Sequence, residues 1–214
     1  MRPGRMNHTK SEPYMNSEEL ISKANFQIDT PDTLDWPVIV RICNEALGEN
    51  YINSLNRQVL RFYVARHRKQ GILGFAALET FAAGQLTKVY PQIEAHKFPH
   101  ALRHCDALGL IRSIKTLAID PKFQRRGIGT KLFGLAEAKC VDSDTNAIVA
   151  PAWRQGEIIN SKRMLEARGY SLAANVADYW KDDCEKGVFR CPAKEALLPC
   201  VCSLSLYWKL LSKV

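Results

Sequence analysis

Thr116-Leu-Ala-Ile-Asp-Pro-Lys-Phe-Gln-Arg-Arg-Gly-Ile-Gly-Thr-Lys-Leu132 is the stretch on which the reading of this chain turns. Residues 110–119 alternate apolar and polar like a strand, Asp120-Pro121 ends it, and a helix is predicted from about Gly127 to Cys140. Between them lies a short basic loop with Arg125 and Arg126. Glycine at 127 and 129 lets the backbone take otherwise strained angles and approach a ligand closely. The unpaired N–H groups and dipole of a helix start favour an anion. Charge placement agrees. Between Arg103 and Lys139 eight basic residues stand against three acidic ones, a local +5 within a chain whose net charge is +8. From residue chemistry alone, this is a phosphate cradle at a strand–helix junction.

Working outward, 26–28 alternates like a first strand. Thr30, Pro31 and Asp32 read as the start of a helix whose apolar positions are Trp36, Ile39, Val40, Cys43 and Leu47, and Gly48 is its predicted C-cap. A second short helix is predicted at 53–59. Two strands, from Leu60 to Arg66 and from Ile72 to Phe81, form a hairpin around a turn at 68–71. The rhythm breaks at about 82–109, a segment with Pro91, Pro99 and three histidines spaced by four. Beyond the cradle helix, a strand is predicted at 147–153, a helix at 160–168 stopped by Gly169, and strand-like runs at 177–181 and 201–209. Residues 1–24 read as a polar, flexible tail with a short helix at 17–23. The order of elements indicates a mixed α/β domain.

The cradle is not a P-loop, since no Gly-Lys-Ser/Thr follows Gly129. It is not a Rossmann fingerprint either, because Leu132 stands where the third glycine belongs. What fits is Gln/Arg-x-x-Gly-x-Gly/Ala after an apolar strand and Asp-Pro, here Gln124-Arg-Arg-Gly-Ile-Gly129. On these residues the chain resembles the GNAT superfamily of acetyl-CoA-dependent N-acetyltransferases, over roughly 26–210. The resemblance implies a mixed α/β fold, with a mostly antiparallel central sheet flanked by helices. Residues 25–214 would form one acetyl-CoA-binding domain with an insertion at about 82–109.

It further implies that the backbone of Leu117, Ala118 and Ile119 binds the acetyl and pantetheine portions like an added strand. The Leu117 N–H would polarise the thioester carbonyl. The run Gln124, Arg125, Arg126, Gly127, Ile128, Gly129 and Thr130 would hold the pyrophosphate. Asn160 matches the family's pantetheine-contacting Asn, a role compatible with a plain N-cap. The acceptor would be an amine on a small molecule or peptide. The chain also departs from the family pattern. Leu165 stands where many members have a tyrosine, and Ser113 where some keep a catalytic Glu. Glu79, Tyr179 and Tyr207 are candidates whose plainer roles are surface or packing, and Tyr170 reads as core. No catalytic residue is assigned.

Seven cysteines, four of them in the last 31 residues, are an odd and uneven set. Cys191-Pro-Ala-Lys194 and Pro199-Cys-Val-Cys202 resemble the tail of a GNAT subgroup ending in Cys-Pro-x-Cys and Pro-Cys-x-Cys, whose four thiolates would suit zinc. Three of those cysteines are kept, Lys194 replaces the other, and Cys184 is an irregularly spaced substitute. Reduced, packed thiols and no metal are the expectation. His96, His100 and His104 read as a solvated insertion rather than ligands.

The composition, 46% hydrophobic and 24% charged, excludes a disordered or low-complexity chain. No apolar stretch is long enough to span a bilayer, and no signal peptide opens the sequence. A cytoplasmic protein without a membrane partner is expected, with a homodimer left open. A CoA-thioester-binding module without turnover is the first competing reading. A nucleic-acid-binding protein, suggested by charge and the cysteine tail, ranks last because no basic–aromatic interleaving is apparent.

Overall fold

The alternating runs on either side of the 68–71 turn become adjacent central strands, and the cradle strand follows them in the same sheet. The computed structural model describes residues 26–141, 144–191 and 200–211. The tail predicted at 1–24 and Lys194 lie outside them. The elements are β1 (Phe26–Asp29), α1 (Trp36–Ala46), α2 (Tyr51–Ser54), β2 (Leu60–His67), β3 (Gly71–Thr80), α3 (Leu86–Val89), α4 (His100–Ala107), β4 (Ile111–Ile119), α5 (Ile128–Cys140), β5 (Ala147–Gln155), β6 (Ile158–Ile159), α6 (Lys162–Ala167), β7 (Ser171–Val176), α7 (Lys181–Glu185) and β8 (Ser203–Leu210). The strands form one sheet in the order β1-β2-β3-β4-β5-β8-β7, with β6 paired to β5. The β4–β5 pair is parallel, and the other described pairs are antiparallel.

Strand alternation divides the core between the two faces of the sheet. Ile114, Ile119, Ile148 and Ala150 pack on one face beneath α5 and α6, against Leu132, Phe133, Ala136 and Leu165. Ile128, Leu132, Ala136 and Cys140 recur every four residues and bury one stripe of α5. Burial of each large apolar side chain there contributes about 1.5–3 kcal/mol. On the other face, Phe75, Ala77 and Ala118 meet Ile39, Ile42 and Ile52 of α1 and α2. Farther along that face, Ile111, Val149, Leu204 and Leu206 meet Leu86, Tyr90, Phe98 and Leu102.

Asp32 opens the first helical segment as predicted. Its carboxylate accepts from the N–H groups of Leu34 and Asp35, while Asp35 accepts from the Asp32 N–H, forming a capping box. Asp35 also takes a bidentate pair from Arg66 of β2, at 3.0 and 2.7 Å. The Arg66 guanidinium therefore holds the Asp35 carboxyl below its usual range.

Several predicted boundaries are corrected. The short second helix is Tyr51–Ser54 rather than 53–59, because Asn56 turns the chain by accepting from the Gln58 N–H. The late strand is Ser171–Val176, not 177–181; Asp178 has φ +52°, which no strand accommodates. The helix predicted at 160–168 is Lys162–Ala167, with Ser161 at its N-cap, so Asn160 stands outside it. The segment at 82–109 carries α3 and α4 and buries Tyr90, Ile93, Phe98, Leu102 and Cys105 in the sheet's core. Its three histidines do face solvent. They share no single helix, since His96 lies in a separate 3-10 turn before Pro99.

Candidate functional site

A strand edge normally demands a partner, and among the described residues β4 has none beyond Ser113 on its β5 side, along the stretch expected to meet the pantetheine arm. Beta4 pairs with β3 along its length, from Gly74↔Ile119 to Thr80↔Arg112, with a bulge that leaves Lys115 unmatched. On its other side it pairs with β5 only from Ile111↔Ala147 to Ser113↔Val149. Past that point β5 stays with β8 as far as Arg154↔Ser203, so the sheet splits into a cleft. One wall of the cleft is the β4 segment carrying Thr116, Leu117, Ala118 and Ile119. Because β8 occupies one edge of β5, β6 must take the edge facing the cleft, and Asn160 follows β6 directly. Asn160 is exposed there rather than capping a helix.

The same wall runs into the cradle. Asp120 caps the turn after β4 by accepting from the Lys122 N–H, and its other oxygen takes Arg41 of α1 at 2.7 Å. The Gln124 side-chain amide donates to the Ile119 carbonyl at 3.0 Å and folds the basic loop back over the strand end. Arg125 has φ +61° and Gly127 φ +76°. Left-handed residues in such a loop turn successive N–H groups toward one side, an anion-binding concavity. Gly127 precedes α5, whose first-turn N–H groups have no intrahelical acceptor. Gly129 is helical; its contribution is closeness, since a Cβ there would touch Ile119 at 3.5 Å and Leu117 at 3.9 Å. Arg126 stacks over Phe123 at 5.8 Å, while Arg125 and Thr130 are exposed. Ile128 and Ala118 turn their side chains into the core, leaving only backbone to offer a ligand.

Next to Leu117 the opposite face of the sheet holds a group of polar side chains from five segments. Thr116 Oγ1, Ser113 Oγ and the Tyr90 hydroxyl are buried without a hydrogen-bond partner. The Tyr51 hydroxyl lies beside Thr116, and burial raises its pKa above the ordinary value. Tyr90 lies beside Ser113 and is shifted upward for the same reason. Burial pushes Tyr179 up to about 12, and its hydroxyl donates to the Val89 carbonyl at 3.3 Å. All three phenols are therefore protonated at neutral pH. Glu79, opposite Ser113 in the β3–β4 ladder, is buried, with Lys115 at 3.5 Å and Gln85 at 3.3 Å. This gathering carries forward two of the sequence candidates, Glu79 and Tyr179. It adds Tyr51, Tyr90 and Thr116, which no spacing singled out. Leu165, Tyr170 and Tyr207 lie in the core beneath α5.

The model of the acetyltransferase (GNAT) family matches residues 32–170. No curated protein matches the chain. Among solved structures, a Bacillus subtilis acetyltransferase in complex with CoA is 12% identical, with TM-score 0.59, over 88% of this chain and 100% of that one. A Salmonella typhimurium protein solved with its cofactor acetyl-CoA is 15% identical, with TM-score 0.56, over 88% of this chain and 95% of that one. An N-acetyltransferase from Staphylococcus aureus Mu50 is 14% identical, with TM-score 0.55, over 88% of this chain and 100% of that one. At such identities these likenesses concern the fold. The family match spans the split sheet and the cradle together, and the chain belongs to the GNAT acetyltransferase family.

Proposed function

We propose that this chain is an acetyl-CoA-dependent N-acetyltransferase acting on a primary amine of a small molecule or peptide, as one domain from residue 25 onward. The observation that carries the reading is the open edge of β4 leading through the turn and loop at 120–127 to the N-terminus of α5. A pantetheine arm with spaced amides suits such an edge, and a pyrophosphate suits the concavity at its end. Acetyl-CoA, the family's donor, supplies an acetyl group activated as a thioester.

The chain's residues have distinct tasks. Backbone groups of Leu117, Ala118 and Ile119 orient the arm, and the Leu117 N–H faces the carbonyl oxygen that gains charge. Gln124 fixes the loop, and the N–H groups of Arg125, Arg126, Gly127, Ile128, Gly129 and Thr130 hold the diphosphate. Asn160 reaches the arm from the β5 side. With the arm filling the cleft beside α5, the amine approaches from the opposite face, where Tyr51, Tyr90, Thr116 and Tyr179 gather. Glu79 places negative charge on that side to attract an ammonium group. Tyr51, beside Thr116 and with its phenol pKa raised by burial, is the candidate proton donor for the leaving thiolate. Holding both reactants in one geometry supplies most of the acceleration.

Turnover of acetyl-CoA with a panel of polyamines, amino acids, aminoglycosides and peptides tests the proposal. Acceptor-dependent release of free thiol is expected. A second reading, a binding module without turnover, draws on Leu165 in the core and Ser113 at the family's Glu position. Tight CoA binding with no acetylated acceptor would favour that module.

A further inference from the structure

Between α7 and β8 the described residues have only a thin apolar core of their own. Between Lys181 and Ser203 the buried described residues are Cys184, Phe189, Cys191, Cys200 and Cys202. Four of these five are cysteines. A small hydrophobe of this kind contributes little packing, and segments with so thin a core are commonly fixed by a metal or a cross-link. The thiols converge. The sulfurs of Cys184, Cys191 and Cys200 all lie within 4.8 Å of one another. The Cys202 sulfur is 3.5 Å from that of Cys191. In a tetrahedral tetrathiolate site with Zn–S near 2.3 Å, neighbouring sulfurs stand roughly 3.8 Å apart. The sulfurs of Cys184, Cys191 and Cys200 are near that spacing, and Cys202 adjoins them through Cys191.

We propose that Cys184, Cys191, Cys200 and Cys202 bind one zinc ion as a structural site. The sequence alone supplied three cysteines at regular spacing, and favoured packed thiols for want of a fourth ligand. The fold brings in Cys184 from α7, across a gap of six residues before Cys191. Phe189, Tyr51, Trp153 and Trp180 pack around the cluster and shield it from water, as the apolar shell of a structural metal does. A closed set of four thiolates with no open position suits a structural rather than a catalytic ion. Arg190 and Glu49 exchange backbone hydrogen bonds at 2.8 and 3.1 Å beside it, so the site ties the C-terminal segment to the α1–α2 connection. This inference does not rest on the acetyl-transfer reading.

The full chain, expressed with zinc and purified without chelator under reducing conditions, provides the test. Elemental analysis should find about one zinc per chain. Cobalt exchanged into the wild-type protein should give the visible absorption of a tetrahedral tetrathiolate. Cys184→Ser and Cys202→Ser should lower zinc affinity by roughly 100-fold or more, whereas Cys140→Ser, at a buried thiol under α5, should leave the metal content unchanged. Metal-free wild-type protein with free thiols, an intact mass showing paired disulfides, or zinc in both ligand variants equal to that of wild type would overturn the proposal. The wild-type measurements stand even where a variant fails to fold.

Discussion

The two sides of the split sheet are built by different means. On the α5 side, the ligand-facing surface is mostly backbone: an unpaired strand edge, a loop with two left-handed residues and a helix start. On the opposite side the surface is side chains, with hydroxyls and a carboxylate delivered by α2, β3, the segment after α3, β4 and the turn before α7. Backbone surfaces leave a contiguous trace in sequence, because glycines, a strand end and a helix start must adjoin. Side-chain surfaces assembled from distant segments leave none. The proposed function would use that division, with acetyl-CoA on the backbone side and the acceptor amine on the other.

The largest effect should come from attacking the backbone side. Valine at both Gly127 and Gly129 puts a β-branched residue at φ +76° and fills the approach to Leu117 and Ile119. CoA affinity measured by calorimetry should fall beyond detection while circular dichroism stays native. Unchanged affinity would break the assignment of the cradle. On the side-chain side, Tyr51→Phe should lower kcat about 100-fold and leave CoA affinity alone. A parallel loss of CoA binding would erase the distinction between the two sides.

A smaller effect tests what anchors the cradle. Asp120→Ala removes both the turn cap and the partner of Arg41, and CoA affinity should drop about tenfold, an effect worth about 1.4 kcal/mol. The smallest change concerns α1. Because Arg66 lowers the folded-state pKa of Asp35, the pair's stabilisation is complete above about pH 4, the unfolded value, and fades as pH falls through the lowered one. The melting temperature of wild type should exceed that of Asp35→Asn at neutral pH, and the two curves should converge in strong acid.

Legibility in the sequence follows the same line. The hairpin, β4 and α5 were plain because two apolar runs flank a turn, and because the apolar run of β4 gives way, after the basic loop, to a four-residue stripe. Beta7 was missed because a bulge between Leu172 and Ala174 breaks its two-residue period. The 82–109 segment looked loop-like because its apolar residues come from a four-residue helix, a 3-10 turn and a two-turn helix, each too short to show a period. Asn160 was placed one step too far into its helix, since Ser161 serves equally well at the boundary. Tyr51 and Tyr90 gave no signal, because only tertiary structure sets them beside Thr116 and Ser113.

The strand order has a consequence for synthesis on the ribosome. Beta8, the last strand in chain order among the described residues, lies between β5 and β7, and residues 203–210 supply the outer neighbour of β5. A nascent chain that already contains the whole cradle still presents an unpaired β5 edge. At about 5–20 residues per second, the roughly fifty residues after β5 leave that edge exposed for several seconds. This interval is when a chaperone has most to do, and a truncation ahead of β8 would make it permanent.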